Sequence, residues 1–329
     1  MRKIRLVSIP SAVLLLACLA SVPGKSQAQH LDLELWRLGN PDYITLHDGT
    51  VVPDPSGDPE ANQRLMADAN LRFRMLMVDL GLAIHPAPAH PANSPGRAGA
   101  AFEIGLRMPQ IHPQAAVMSD ECPPGNPNCR IWVTRGTTPG RPNQQRVPNR
   151  LILPSLQVRK GLPFSFELNS QVQYLVGSSS CVMSGGARWA LNEGFDFLPD
   201  LSIGAQATRL VGTRDFGLTT ASADIIVGKW FAIAGSATIS PYIGWQRVWV
   251  SSFSSVIDFD PSHERMNDPT RDDTIFDDVP MAENIYDRVV FGLRLRSYIG
   301  QFLIAGTYTP MVLDMDPTLS LVFQAGMEF

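Results

Sequence analysis

The sequence predicts an all-β fold: an antiparallel transmembrane β-barrel of about 10 strands, with 12 as the alternative, preceded by an N-terminal helical or irregular segment. Three observations predict it. Apolar and polar residues alternate along extended segments. The connections between those segments alternate in length. The last alternating segment stops on Phe329.

Alternation is clearest over 164–174. One face carries Phe164, Phe166, Leu168, Val172 and Tyr174; the other carries Ser165, Glu167, Asn169, Gln171 and Gln173. Only strand geometry separates these two sets. The same period runs through Val289, Phe291, Leu293 and Leu295, and through Leu319, Leu321, Phe323, Ala325, Met327 and Phe329. Ten candidate strands result, at 99–109, 150–160, 163–176, 185–195, 200–212, 217–231, 237–251, 285–298, 301–310 and 318–329. Their lengths suit a tilted crossing of a bilayer, which takes about 9–11 residues.

Short turns are expected at Lys160-Gly161-Leu162, Leu198-Pro199, Gly235-Ser236 and Gly300. Long or polar loops are expected at 110–149, 177–184 and 252–284, with shorter ones at 212–216 and 311–317. Bacterial single-chain barrels keep short turns on the periplasmic rim and an even strand number. That parity sorts the segment 59–84. Leu65, Ala69, Phe73, Met77 and Leu80 fall on one helical face, while Arg72, Arg74, Leu76, Val78 and Leu80 also fit period two. An eleventh strand breaks parity, so the segment reads as a helix outside the wall or inserted in the lumen. Twelve strands require 31–38 to join the wall as well.

The N-terminus reads as a signal peptide, residues 1–28. It has a basic start, Arg2, Lys3 and Arg5, an apolar stretch from Val13 to Ala20, and small residues before cleavage after Ala28. Lipidation of Cys18 is the rival reading. Residues 29–98 then form a periplasmic or lumen-inserted segment with one helix, and 99–329 form the barrel.

A soluble barrel buries its apolar face inward. Here the polar face bears Glu103, Arg107, Arg159, Glu167, Arg188, Asp224, Arg288, Arg294 and Arg296. So many charges favour a lumen-facing assignment for that row and lipid for the other. Charged residues make up only 18% of the chain, against about 25% in soluble domains. Mean hydropathy is near zero, as alternation would average it. Trp189, Tyr242, Trp245, Trp249, Tyr298 and Tyr308 are assigned to strand ends or outward faces, as an interfacial girdle requires. The net charge of −4 and the lack of a long basic run argue against nucleic acid as a partner.

On its last strand and terminal Phe329, the sequence resembles bacterial outer-membrane β-barrel proteins. It also resembles an uncharacterised barrel family at the turn Lys160-Gly161-Leu162-Pro163-Phe164. The first resemblance implies the bacterial outer membrane as location. It implies outer-membrane lipid and the barrel-assembly machinery, reached through the C-terminal strand, as partners. The second carries no activity over.

Chemistry-bearing patterns are sparse. Cys122 and Cys129 bracket a tight turn-rich loop and are expected to form a disulfide in an oxidising compartment; Cys181 is left over, as a free thiol or in place of one of the two. No histidine lies on a predicted strand, so a Ser–His wall dyad is not expected, and the reading is not an enzyme. Asp258, Asp260, Asp272 and Asp273 are weak candidates for a metal, lacking a calcium-loop pattern. No cofactor is implied. The expected role is a narrow porin-like channel for small solutes or a barrel with a structural role. Six lumenal arginines face four acids, Glu103, Glu167, Asp224 and Glu328, so salt bridges should fill the interior. Any remaining passage should favour small anionic or zwitterionic solutes. The alternatives are an outer-membrane hydrolase using His263 with loop carboxylates, and a soluble secreted β-barrel.

Overall fold

The computed structural model describes residues 30–38, 59–113, 131–134, 147–195, 197–235, 237–258, 273–313 and 315–329. The signal-peptide reading of 1–28, the Cys122–Cys129 pair, His263, Asp260 and Asp272 lie outside them.

One helix, α1 (Pro59–Ile84), precedes the strands. The wall is built from β1 (Ala100–Met108), β2 (Leu153–Gly161), β3 (Phe166–Tyr174), β4 (Cys181–Asn192), β5 (Asp200–Val211) and β6 (Phe216–Gly228). A short β7 (Phe231–Ala234) is followed by the long β8 (Ala237–Ser254). A two-residue ribbon, β9 (Ile257–Asp258) with β10 (Asp273–Thr274), stands above the wall. The wall then resumes with β11 (Ile285–Ser297), β12 (Gly300–Thr309) and β13 (Thr318–Glu328). Neighbours pair antiparallel around the ring, β8 joins β11, and β13 returns to β1 with Met327 opposite Phe102. The result is a ten-stranded barrel hydrogen-bonded full circle, with no free wall edge. β7 is an added piece that pairs with the start of β8 below the end of β6.

The predicted strands are observed with shifted ends. β4 starts at Cys181 rather than 185, because the chain turns tightly between Leu175 and Ser180 and resumes pairing at Tyr174↔Cys181. The predicted 217–231 strand breaks after Gly228. Phe164 is not on a strand. It sits in the β2–β3 turn with φ of 63°, and β3 begins at Phe166. The twelve-strand alternative is excluded, because 59–84 is helical and 35–38 is a short 3-10 turn.

Side-chain parity fixes what each face meets. Outward positions carry Phe102, Ile104, Leu106, Phe166, Leu168, Ile203, Ile225, Ile243, Val289, Phe291, Leu293, Leu295, Phe302 and Ile304, all solvent-exposed in the isolated chain. Inward positions carry the charges and amides, and they are buried. An apolar exterior around a polar interior is the reverse of a soluble barrel and is what hydrocarbon demands. One outward ion pair interrupts the belt: Arg247 grips Asp287 through two hydrogen bonds of 2.8 and 2.9 Å, with its guanidinium over Trp245.

Candidate functional site

The lumen is where the chain concentrates its chemistry, and it is occupied. From Met75 to Ile84, α1 is buried on nearly every side, including Met75, Leu76, Met77, Val78 and Leu80. A helix apolar all round is an enclosed helix. At the long-loop end, Phe73 stacks on Phe276 at 4.7 Å and Asn70 bonds Asp277. Asp79 receives Trp132 Nε1 at 2.8 Å, the His112 amide at 2.8 Å and His112 Nδ1 at 2.9 Å. Gly81 faces the wall so closely that an added Cβ would lie 2.8 Å from Val250 Cγ1.

The helix ends deep in the barrel, where its last carbonyls have no intrahelical partner and carry the negative pole. Two arginines from strands three places apart in the ring meet them. Arg107 on β1 donates to Ile84 O at 3.2 Å and His85 O at 2.9 Å. Arg288 on β11 donates to Leu82 O at 3.2 Å, His85 O at 3.1 Å and Pro86 O at 3.1 Å. Among the described residues neither arginine forms an ion pair. Backbone carbonyls stand where carboxylates would be expected.

Below this point the chain runs as a proline-rich segment without regular secondary structure toward the short-turn end. Ala87, Ala89 and Ala92 pack on inward-facing Ile226, Tyr242, Val290, Leu303, Ala305 and Val322. Arg188 donates to His90 O and Arg294 to Asn93 Oδ1. Ser94 bonds Glu193 in the β4–β5 turn, and Lys160 bonds Ala98 O. Gly99 then leads into β1.

A second cluster lies beside this tail. Arg159 reaches Glu103 at 2.9 Å, Glu167 at 3.1 Å and Glu328 at 3.4 Å. Arg294 and Arg296 converge on Glu328 at 3.5 and 2.6 Å, and His90 Nε2 lies 2.9 Å from Glu103. Arg188 approaches Asp224 at 3.7 Å. Glu103, Arg107, Arg159, Glu167, Arg188, Asp224, Arg288 and Arg294 are buried on inward positions, and Arg296 shares their parity but is partly exposed near the rim. Among the described residues, Arg107, Arg188, Arg288 and Arg294 each bond the N-terminal segment rather than standing free. Arg159 and Arg296 are held by wall glutamates instead.

Some assignments change. Tyr242 points inward, not to a girdle, and it covers Gly292, whose added Cβ would lie 2.5 Å from the ring. Cys181 is the first residue of β4 rather than part of a loop. Asp258 and Asp273 are opposed in the β9–β10 ribbon. Sequence reasoning missed the apolar residues on the lumenal parity, Ile226, Val290, Leu303 and Val322. With Val182, Leu218, Val248 and Val250 on the same parity, these apolar interruptions of a polar row were the available sign that something packs there.

No family pattern and no curated protein matches the chain. Among solved structures it is similar to Ail, the attachment invasion locus protein of Yersinia pestis, in complex with sucrose octasulfate. That likeness has 8% identity and a TM-score of 0.25, and covers 71% of this chain and 99% of that one. It is similar to the translocator domain of autotransporter NalP from Neisseria meningitidis, with 9% identity, TM-score 0.28, and coverage of 81% and 98%. OprB of Pseudomonas putida matches with 6% identity, TM-score 0.21, and coverage of 71% and 94%. By its own inverted faces, this chain is an antiparallel membrane barrel of the bacterial outer-membrane type.

Proposed function

We propose that the protein is a self-plugged outer-membrane barrel: closed to solutes at rest, and opened only when its N-terminal segment shifts. The observation that supports this reading most is the double hold of Arg107 and Arg288 on the end of α1. An open porin leaves such arginines to water. Here buried donors, a helix terminus and an apolar inner patch are matched to one segment of the same chain. With that segment displaced, Arg107 and Arg288 lack a carboxylate partner, so the passage should prefer small anionic or zwitterionic solutes. Outer-membrane lipid is the partner of the apolar belt.

Single-channel recording of the full chain in planar bilayers tests the proposal. The wild type should be silent apart from rare openings. Its openings should show a reversal potential displaced toward anions, and Arg288→Gln should raise the open fraction while lessening that displacement. Steady wild-type conductance from the moment of insertion, or cation selectivity, contradicts it.

A further inference from the structure

The hold on the helix end has a chemistry of its own. Four side chains from four strands donate to three consecutive carbonyls. Arg107 serves Ile84 and His85, Arg288 serves His85 and Pro86, Gln173 reaches Ile84 O at 3.3 Å, and Gln246 reaches Pro86 O at 3.4 Å. The two guanidiniums meet on a single atom, His85 O, at 2.9 and 3.1 Å. The Arg107 fork also spans two oxygens, Ile84 O from Nη1 and His85 O from Nη2, as such a fork spans two oxygens of a phosphate or carboxylate. The supporting glutamines, Gln173 with Arg107 and Gln246 with Arg288, hold the forks in place at 2.9 and 2.7 Å. Arg107 is only 2% exposed, yet its Nε has no hydrogen-bond partner. The carbonyls therefore do not exhaust this donor set.

We infer that Arg107, Arg288, Gln173 and Gln246 form a binding site for a small oxyanion, which competes with the end of α1 for the same donors. This rests on the self-plugged reading and adds its regulation. When the helix end withdraws, four side chains lose their carbonyl acceptors together inside a low-dielectric space and keep only the bonds among themselves and to Ser222, a costly state that an oxyanion relieves. An anion that binds only the withdrawn state shifts the population toward it, and the helix end in turn lowers the apparent affinity for the anion. The solute class that the lumen would pass is thus also the one that loosens its plug.

Hydrogen exchange of the full chain in detergent micelles, read by mass spectrometry over residues 75–85, tests this with inorganic phosphate as the probe. At matched ionic strength, phosphate replacing chloride should speed exchange by about tenfold, a population shift of ordinary size for a competing ligand. In the Arg107→Gln/Arg288→Gln variant, exchange should be fast in either salt and phosphate should add nothing. No phosphate effect in the wild type overturns the site. An equal effect in the double variant does so too, since it marks an adventitious ion. If the double variant fails to give a heat-modifiable folded band, Arg288→Lys replaces it, keeping charge without the fork. A weakened response then supports the site and an undiminished one overturns it. Silent bilayers with phosphate-insensitive exchange reject the anion site alone, whereas steady wild-type conductance rejects the plug.

Discussion

His112 donates from Nδ1 to Asp79 at 2.9 Å, and so ties the long loop after β1 to the helix inside the barrel. Its other ring nitrogen lies 2.7 Å from the Asp316 carbonyl on the β12–β13 loop. Burial disfavours the imidazolium, but the hydrogen bond and charge of Asp79, with the Asp316 carbonyl, more than reverse this and raise the pKa. A raised folded-state pKa gives stability that is fully present below the unfolded value of about 6.5 and is lost as pH climbs through the folded one. Exchange protection of α1 should therefore fall as the pH rises above about 6.5, and His112→Gln should flatten that change. A pH-independent wild type contradicts the latch.

Arg159 holds three carboxylates at once, and each is buried. Removing its charge leaves Glu103, Glu167 and Glu328 with less compensation. Arg159→Met should cost about 3–5 kcal/mol, the usual scale for breaking a buried ion cluster. The midpoint of urea unfolding, followed by the loss of heat-modifiable migration, reads it. Adding Glu167→Gln should recover part of the loss, because one unpaired charge goes with it.

Ile104 stands outward in the middle of β1 and is 61% exposed in the isolated chain. In a bilayer, Ile104→Arg should cost about 2–4 kcal/mol, as charges do on the lipid face of a barrel. The same change on a water-facing wall would be close to neutral. Unfolding from liposomes distinguishes these outcomes, and a neutral result argues against lipid contact.

The wall was legible in the sequence because a period of two is imposed by the pleat itself. Phe166, Leu168 and Ile104 announce one face and Glu167, Arg107 and Arg159 the other. Parity also carried a sign that aromatic content obscured: Tyr242 is an odd number of positions from both Trp245 and Trp249, so it must oppose them. The occupation of the lumen was less visible. The contacts that place it run from Arg107 and Arg288 to backbone carbonyls at 82–86, and a carbonyl has no letter in the sequence. Nor does the alternation reveal that Arg288 meets a residue some 200 positions earlier. The helix at 59–84 could be read, but its place outside or inside the wall depended on packing that only the folded barrel supplies.

The central claim is that α1 lies against the inner wall, and Gly81 offers the most direct measurement. An added Cβ there sits 2.8 Å from Val250 Cγ1, so cysteines at both positions fall within disulfide reach. Full-length Gly81→Cys/Val250→Cys, with Cys181→Ser, is to be oxidised in membranes and run without reductant. The expected result is an intramolecular cross-link joining α1 to β8, seen as a faster-migrating band that reductant abolishes. Both thiols staying open to a water-soluble maleimide after oxidation would contradict a helix-filled lumen.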